Sequence, residues 1–166
     1  MKKTTKYLIA ALCALIVIVL VAVNRKNASK DDERVSAGEL VFETVAGEAV
    51  YSYKEGGDDY VTFDTEMRRK NGDVFAKTYS GRELSAILAE MDYTVTENSE
   101  ITAVCADSYE IVLTGAEILD PGNVYIVNRE GEEALEEESG PFMLVVNHDE
   151  FATRWGKNIV RIKVSE

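Results

Sequence analysis

The chain has 166 residues, is 46% hydrophobic and carries a formal net charge of −12. Beyond residue 26, 13 Lys and Arg stand against 30 Asp and Glu, a net charge of −17. This acidity argues against a nucleic-acid partner, because phosphate binding needs a basic patch.

The first element is an uncharged stretch, residues 7–23, with the sequence YLIAALCALIVIVLVAV. It follows a short tail, residues 1–6, and its 17 residues are at the short end of what crosses a bilayer as a helix. We predict an uncleaved transmembrane helix. A cleaved signal peptide is the alternative, although VAVNRKNASK offers a poor cleavage site.

The charges that flank this stretch suggest an orientation. Three lysines precede it, whereas Asp31, Asp32 and Glu33 dilute the basic residues that follow it. We expect a single-pass protein of the cell membrane with its N-terminus inside and its C-terminal domain outside the cytoplasm.

A polar linker is predicted for residues 24–37 and one domain for residues 38–166. Cys13 lies in the apolar stretch and Cys105 is alone in the domain, so an intrachain disulfide and a closed zinc shell are excluded. The acidic runs EGGDD and EGEEALEEE lack the ligand spacing of an EF-hand loop. We therefore predict no metal site.

The first half of the domain has strand patterns and one helix pattern. ELVFETV and AVYSYKEGGDDYVTF are rich in β-branched and aromatic residues, with a Gly-Gly turn in the second, and Asn71-Gly72 marks another turn. YSGRELSAILAEMDY predicts a helix. Ser80 and Glu83 have the spacing of a capping box there, and the apolar residues after them recur at helical spacing.

The second half of the domain is also mostly strand. EITAVCADSYEIVL predicts two strands around a turn, and Thr114 and Glu117 predict a capped short helix that ends before Pro121. VYIV, FMLVV and NIVRIKV follow as strands, with a long acidic excursion between the first two. We interpret NIVRIKV as an edge strand whose Arg161 and Lys163 face outward.

The order of these pieces resembles the molybdopterin-binding domain of sulfite-oxidase-type oxidoreductases. That family has a W/Y-x-G-x-x-L helix start, an A-D-G-Y turn, an N-G-x-x-L strand end, a G-P-x-R-L-V-V-P strand and a K-W close. The residues that match are Tyr79, Gly81, Leu84, Ala106, Asp107, Tyr109, Gly131, Leu135, Gly140, Pro141, Leu144, Val145, Val146, Trp155, Ile159, Ile162 and Val164. The resemblance implies an α+β fold, a mostly β mixed-sheet domain with a few short helices.

The same resemblance implies a molybdopterin cofactor whose metal is bound by a cysteine upstream of the helix start. No cysteine lies between Cys13 and Tyr79, and Cys105 lies downstream on an inward strand position. We interpret Cys105 as a buried structural thiol. Met143 also replaces the family's usual Arg. We therefore expect no cofactor, while the resemblance keeps molybdopterin as the alternative.

The only histidine and the only tryptophan lie close together, in SGPFMLVVNHDEFATRW. Trp155 is predicted to be a core residue and His148 a loop residue. If a pocket is present, we expect His148 and Arg154 to border it, with Asp107 and Tyr109 on a second loop, and to bind a small anion. No nucleophile–base pair can be assigned, so no catalytic residue is predicted.

Three functions are open at this point. The first is a non-catalytic module, anchored in the membrane, that binds a small ligand or a partner protein of the envelope. The second is a reduced molybdopterin-dependent oxidoreductase, and the third is a structural envelope protein. We favour the first, because the scaffold pieces are present and the metal-binding cysteine is missing.

Overall fold

Ten strands form two β-sheets in the computed structural model, which describes residues 3–165 except for the side chains of residues 3–8, 10, 11, 20, 21, 24, 25 and 27–29. In chain order, the elements are α1 Lys3–Ser36, β1 Glu39–Thr44, β2 Gly47–Ser52, β3 Tyr60–Arg68, β4 Val74–Glu83, α2 Leu84–Glu90, β5 Glu100–Cys105, β6 Glu110–Thr114, α3 Gly115–Leu119, β7 Val124–Glu130, β8 Glu133–Ala134, β9 Met143–Val146, a 3₁₀ turn at Ala152–Arg154, and β10 Ile159–Ser165. The predicted α+β class, mostly β with few short helices, is confirmed.

The first sheet has the order β2-β1-β10-β5-β6. Its central pair, β1 and β10, is parallel, with Phe42 opposite Ile162, and its other pairs are antiparallel. β10 therefore lies in the middle of this sheet, and the edge position predicted for it is wrong. The alternation of NIVRIKV indicated which residues face inward, but a strand with charged outward residues also fits a sheet centre when other elements cover those charges.

The second sheet has the order β3-β4-β7-β8, and β9 also pairs with β7. β3 and β4 form a long hairpin that turns at Asn71-Gly72, as predicted, where Arg69 N donates to Asp73 O at 2.9 Å. Gly81 of β4 lies against β7, and a Cβ at this position would come within 2.4 Å of Ile126 O. The close approach of the two backbones requires glycine there.

The helix predicted after Tyr79 begins later than expected, and its capping box is wrong. Ser80 and Glu83 belong to β4, and α2 starts at Leu84 without a side-chain cap. Ser80 Oγ instead lies 2.7 Å from Thr62 Oγ1 of β3, while Glu83 accepts from Gly122 N at 2.9 Å. Both side chains thus bond to residues distant in the chain instead of capping the helix. The capping box of Thr114 and Glu117 is confirmed.

Two apolar clusters form the core. The larger combines residues of both sheets, among them Ile162 of the first and Ile126 of the second, with α2 residues Leu84, Ile87 and Leu88, all fully buried. The smaller is built from Tyr79, Tyr125, Val127, Met143 and Val145 of the second sheet. Trp155 packs against both clusters and so joins them.

Helix α1 ends on the first sheet. Val35 is buried in the larger cluster, and the Asp31 carboxylate pairs with the Arg161 guanidinium of β10 at 2.8 Å. The predicted polar linker, residues 24–37, is helical through Ser36, and its last turns are docked on the domain. Arg161 is covered by this helix end rather than facing solvent.

Among the described residues, no helix combines the length and the apolar character that a membrane crossing requires. Several side chains of the predicted membrane segment, residues 7–23, lie outside the described residues.

Candidate functional site

Trp155 lies where the two core clusters meet. Its indole Nε1 donates to Val146 O at 2.9 Å, and its ring packs edge-on against Tyr79 with 6.0 Å between ring centroids. The indole is half-buried, so one part packs in the core while another part borders an open cavity. The prediction that Trp155 is a core residue therefore holds for one part of the indole, while the other part lines the cavity.

Arg154, predicted to bind an anion, has two carboxylate partners within the chain. Its guanidinium donates to Glu117 Oε1 of α3 at 2.6 Å, and to both carboxylate oxygens of Asp149. These partners raise the pKa of Arg154. Burial alone would raise the pKa of Glu117, but hydrogen bonds from Arg154 and Thr114 outweigh it and lower that pKa. The charge of Arg154 is thus compensated before any ligand arrives.

His148 lies on the loop after β9, as predicted, and is exposed. Its Nδ1 lies 2.7 Å from Asp120 Oδ2, and its backbone N–H donates to Asn123 Oδ1 at 3.0 Å. Both contacts fix the loop against the segment that follows α3. These contacts stabilise a surface loop, and they do not pair His148 with a nucleophile.

Asp107 and Tyr109 lie on the turn between β5 and β6. Asp107 Oδ1 accepts from Tyr109 N at 3.0 Å, which closes an Asx turn, and the Tyr109 side chain is exposed. This turn precedes β6, whereas Glu117, the partner of Arg154, lies beyond the other end of β6. Five strand residues span about 17 Å. The structure therefore brings His148 and Arg154 to one region and leaves Asp107 and Tyr109 in another.

Cys105 is buried in the larger core cluster, with only 4% of its surface exposed. A Cβ added at Gly156 would come within 3.2 Å of its Sγ, which shows how closely the backbone approaches the thiol. Burial, with a smaller effect from Asp107, raises the pKa of Cys105 to about 11. The thiol is therefore protonated near neutral pH, whereas a metal ligand must be a thiolate.

The residues present do not fit the metal end of molybdopterin. In the family that the sequence resembles, a cysteine thiolate of the protein binds the metal of that cofactor, and Cys105 is the single cysteine of the domain. Within residues 3–165, the described side chains contain no group of three His, Cys, Asp or Glu placed to hold a metal ion.

One cavity, of about 600 Å³, lies between the end of α1 and the first sheet, with Cys105 at its margin. Five carboxylates line it, against two cations, Arg161 and Lys163. The five are Asp31, Asp32, Glu43, Glu48 and Glu110. Carboxylates outnumber cations in this cavity, so its lining does not provide the basic setting that lowers a cysteine pKa.

A second cavity, of about 480 Å³, lies beside Trp155 on the second sheet, and we call it the Trp155 cavity. Its apolar lining comes from Met67, Tyr79, Met143, Ala152 and Trp155. Its charged lining has five cations, Arg68, Arg69, Lys70, Lys77 and Lys157, and three carboxylates, Glu130, Glu136 and Glu138. In a chain of net charge −12, a cavity with a net positive lining is unexpected.

Sequence reasoning did not find this cavity: it placed Trp155 in the core and expected a pocket at His148 and Arg154, neither of which lines it. The run Arg68-Arg69-Lys70 beside the Asn71-Gly72 turn is the one cluster of three consecutive basic residues in the sequence, and it was the available signal. Its relation to Trp155, more than 80 residues away, depends on the pairing of β4 with β7 and of β7 with β9.

Comparisons with known proteins agree with the fold. Neither the known protein families nor the curated proteins gave a match to this chain. Among solved structures, the chain is similar to the "Crystal Structure of the Sulfane Dehydrogenase SoxCD from Paracoccus pantotrophus", with a TM-score of 0.61 and 19% sequence identity over 76% of this chain. The matched region spans 37% of that longer chain. This distant likeness supports a sulfite-oxidase-like fold and does not extend to activity.

Proposed function

We propose that the domain is a non-catalytic binding module, built on a sulfite-oxidase-like fold, that takes a small ligand or a partner protein. The state of Cys105 carries this proposal. The domain's one thiol is buried, its pKa is raised to about 11, and the cavity at its margin is lined mainly by carboxylates. A scaffold of this kind keeps its cavities but lacks a thiolate that could bind a redox metal.

Metal analysis together with pterin extraction tests the proposal. The full chain is purified from a host that synthesises molybdopterin, and we expect far less than one molybdenum per chain and no extractable pterin. A Cys105→Ser variant purified in parallel controls for adventitious metal, and we expect it to match the parent. Stoichiometric molybdenum with extractable pterin would overturn the proposal in favour of a reduced molybdopterin oxidoreductase, and its loss in Cys105→Ser would identify the thiol as a ligand.

We also propose that residues 7–23 anchor the module in the cell membrane with the domain outside the cytoplasm. The support is the uncharged 17-residue sequence and the basic residues on both sides of it. We expect the full chain to stay in the membrane fraction after alkaline carbonate extraction and the domain to be cleaved by protease added to intact spheroplasts. A Leu15→Lys/Val17→Lys variant should move to the soluble fraction, and an unchanged distribution would contradict membrane insertion.

A further inference from the structure

The Trp155 cavity combines an apolar base with a cationic mouth. Tyr79 is almost fully buried and Met143 is buried, whereas Arg68 at the end of β3 and Arg69 and Lys70 of the following turn are exposed. The half-buried indole of Trp155 also lines this cavity. A ligand that fills such a cavity needs an apolar part for its base and negative charge at its mouth.

The cations at the mouth are not all compensated by the chain. Lys77 pairs with Glu130, Lys157 pairs with Glu138 at 3.1 Å, and Arg68 lies 3.3 Å from Glu66.

Arg69 and Lys70 have no carboxylate within ion-pair distance among the residues that the structure describes. These two charges therefore remain available to an anion.

The guanidinium of Arg69 is also held in position. Its Cζ lies 4.9 Å from the centroid of the Phe75 ring, across the hairpin, and its backbone N–H and C=O both bond within the turn. Stacking on an aromatic face leaves the N–H groups at the edge of the guanidinium free to donate to an anion. A fixed cation also loses less conformational entropy on binding than a free one.

We infer that the Trp155 cavity binds a small organic anion with a flat apolar body, the body packing against Trp155 and its anionic groups meeting Arg69 and Lys70. This inference rests on the proposed function, because it names the ligand class of the binding module. It concerns a different cavity from the one that Cys105 borders.

Tryptophan fluorescence tests the inference directly, since Trp155 is the chain's only tryptophan and lies in the cavity wall. The full chain is titrated with isophthalate, a flat dianion, with inorganic phosphate, an anion without an apolar body, and with isophthalamide, the neutral counterpart. We expect saturable quenching by isophthalate, with binding at least about tenfold weaker for each of the other two. Affinity for isophthalate should also fall as ionic strength rises.

A matched pair of double variants locates the site. Arg69→Gln/Lys70→Gln should weaken isophthalate binding about tenfold, because it removes the two uncompensated cations. Lys54→Gln/Lys163→Gln removes the same charge elsewhere on the surface and should leave binding unchanged. Circular dichroism confirms that both variants are folded, and the salt dependence of the parent provides a measurement that needs no variant.

Several results would overturn the inference. If isophthalamide bound as tightly as isophthalate, the negative charge of the ligand would have no role in binding. If phosphate bound as tightly, the apolar body of the ligand would have no role. Equal loss in both double variants would assign the effect to general surface charge, and a lack of saturable quenching by isophthalate would remove the site. Metal content is measured separately, so a failure here is distinct from a failure of the proposed function.

Discussion

Both oxygens of the Asp31 carboxylate accept hydrogen bonds from the Arg161 guanidinium, Oδ2 from Nε at 3.0 Å and Oδ1 from Nη2 at 3.2 Å, although 130 residues separate the two along the chain. Their side chains are only 8% and 12% exposed. Arg161 also binds Glu43 and Glu48, so one cation joins α1, β1 and β2 to the central strand of the first sheet.

Removing Arg161 should therefore cost much more than removing its neighbour on the same strand. Arg161→Met leaves Asp31 buried without a counter-charge, and we expect the free energy of unfolding to fall by about 3 kcal/mol. Lys163→Met removes an exposed pair with Glu110 and should cost less than about 1 kcal/mol. Urea denaturation followed by Trp155 fluorescence measures both, and equal losses would contradict the role assigned to the pair.

Cys105 should react slowly in the folded protein. Its pKa of about 11 lowers the fraction of thiolate at pH 8 roughly 100-fold relative to an ordinary cysteine, and burial hinders access further. We expect alkylation by iodoacetamide in a Cys13→Ser background to be at least about 100-fold slower in buffer than in 6 M guanidinium, about the concentration that unfolds most domains. Comparable rates in the two conditions would show that the thiol is accessible and would weaken the proposed function.

The same raised pKa makes a prediction about stability at high pH. The folded state favours the protonated thiol, so this contribution is complete below the unfolded pKa and is lost as pH rises through about 11. Cys105→Ala removes the titrating group. We expect its stability relative to the parent to improve between about pH 9 and pH 11 in urea denaturation, and a constant difference over that range would contradict the prediction.

The ion pair of Glu117 with Arg154 should contribute to stability in acid. Because the pKa of Glu117 is lowered in the fold, its contribution is present above its ordinary pKa and is lost as pH falls through the folded value. Glu117→Gln should be less stable than the parent at pH 7, and the difference should shrink as pH is lowered below about 4. Glu110→Gln, which removes a more exposed carboxylate, is the matched control for lost surface charge.

Two glycines of the second sheet should differ in their tolerance of alanine. A Cβ at Gly81 would come within 2.4 Å of Ile126 O and 2.6 Å of Val127 Cα, so Gly81→Ala should force β4 and β7 apart and cost about 3 kcal/mol. Gly131 has a φ of +62° but open space around it, so Gly131→Ala should cost about 1 kcal/mol from backbone strain alone. Thermal unfolding by circular dichroism measures both, and the reverse order would contradict the packing argument.

Part of the fold could be predicted from the sequence because local patterns specify it. The apolar alternation around Ala103 and the Thr114–Glu117 cap depend on residues close in the chain, and both are confirmed. The predicted Ser80–Glu83 capping box is absent, because Ser80 bonds to Thr62 of β3 and Glu83 bonds to Gly122, just before β7. A local capping motif competes with hydrogen bonds to distant residues, and the spacing of the motif does not predict which bonds form.

The predicted ligand residues show the same division. His148 is on a loop, as its flanking polar residues indicated, but no local pattern indicated that Arg154 would be compensated by Glu117 of α3 and by Asp149. Nor did any pattern reveal that Asp107 and Tyr109 would lie at the far end of β6. Whether a charged side chain can bind a ligand depends on its neighbours in space, and the spacing of residues along the chain does not specify those neighbours.

By itself, the sequence determined the acidity of the domain, the uncharged stretch of residues 7–23, the isolation of Cys105 as the domain's one thiol, and the α+β class. The first three follow from composition, whereas the α+β class is what the resemblance to the molybdopterin-binding domain of sulfite-oxidase-type oxidoreductases implied, alongside strand and helix periodicities of two and 3.6 residues. Only the tertiary structure decided that β10 is central, that Arg161 holds the end of α1, and that three cations of a hairpin meet Trp155 around one cavity. Those relations depend on strand order and register, which long-range packing selects and which local pattern leaves open.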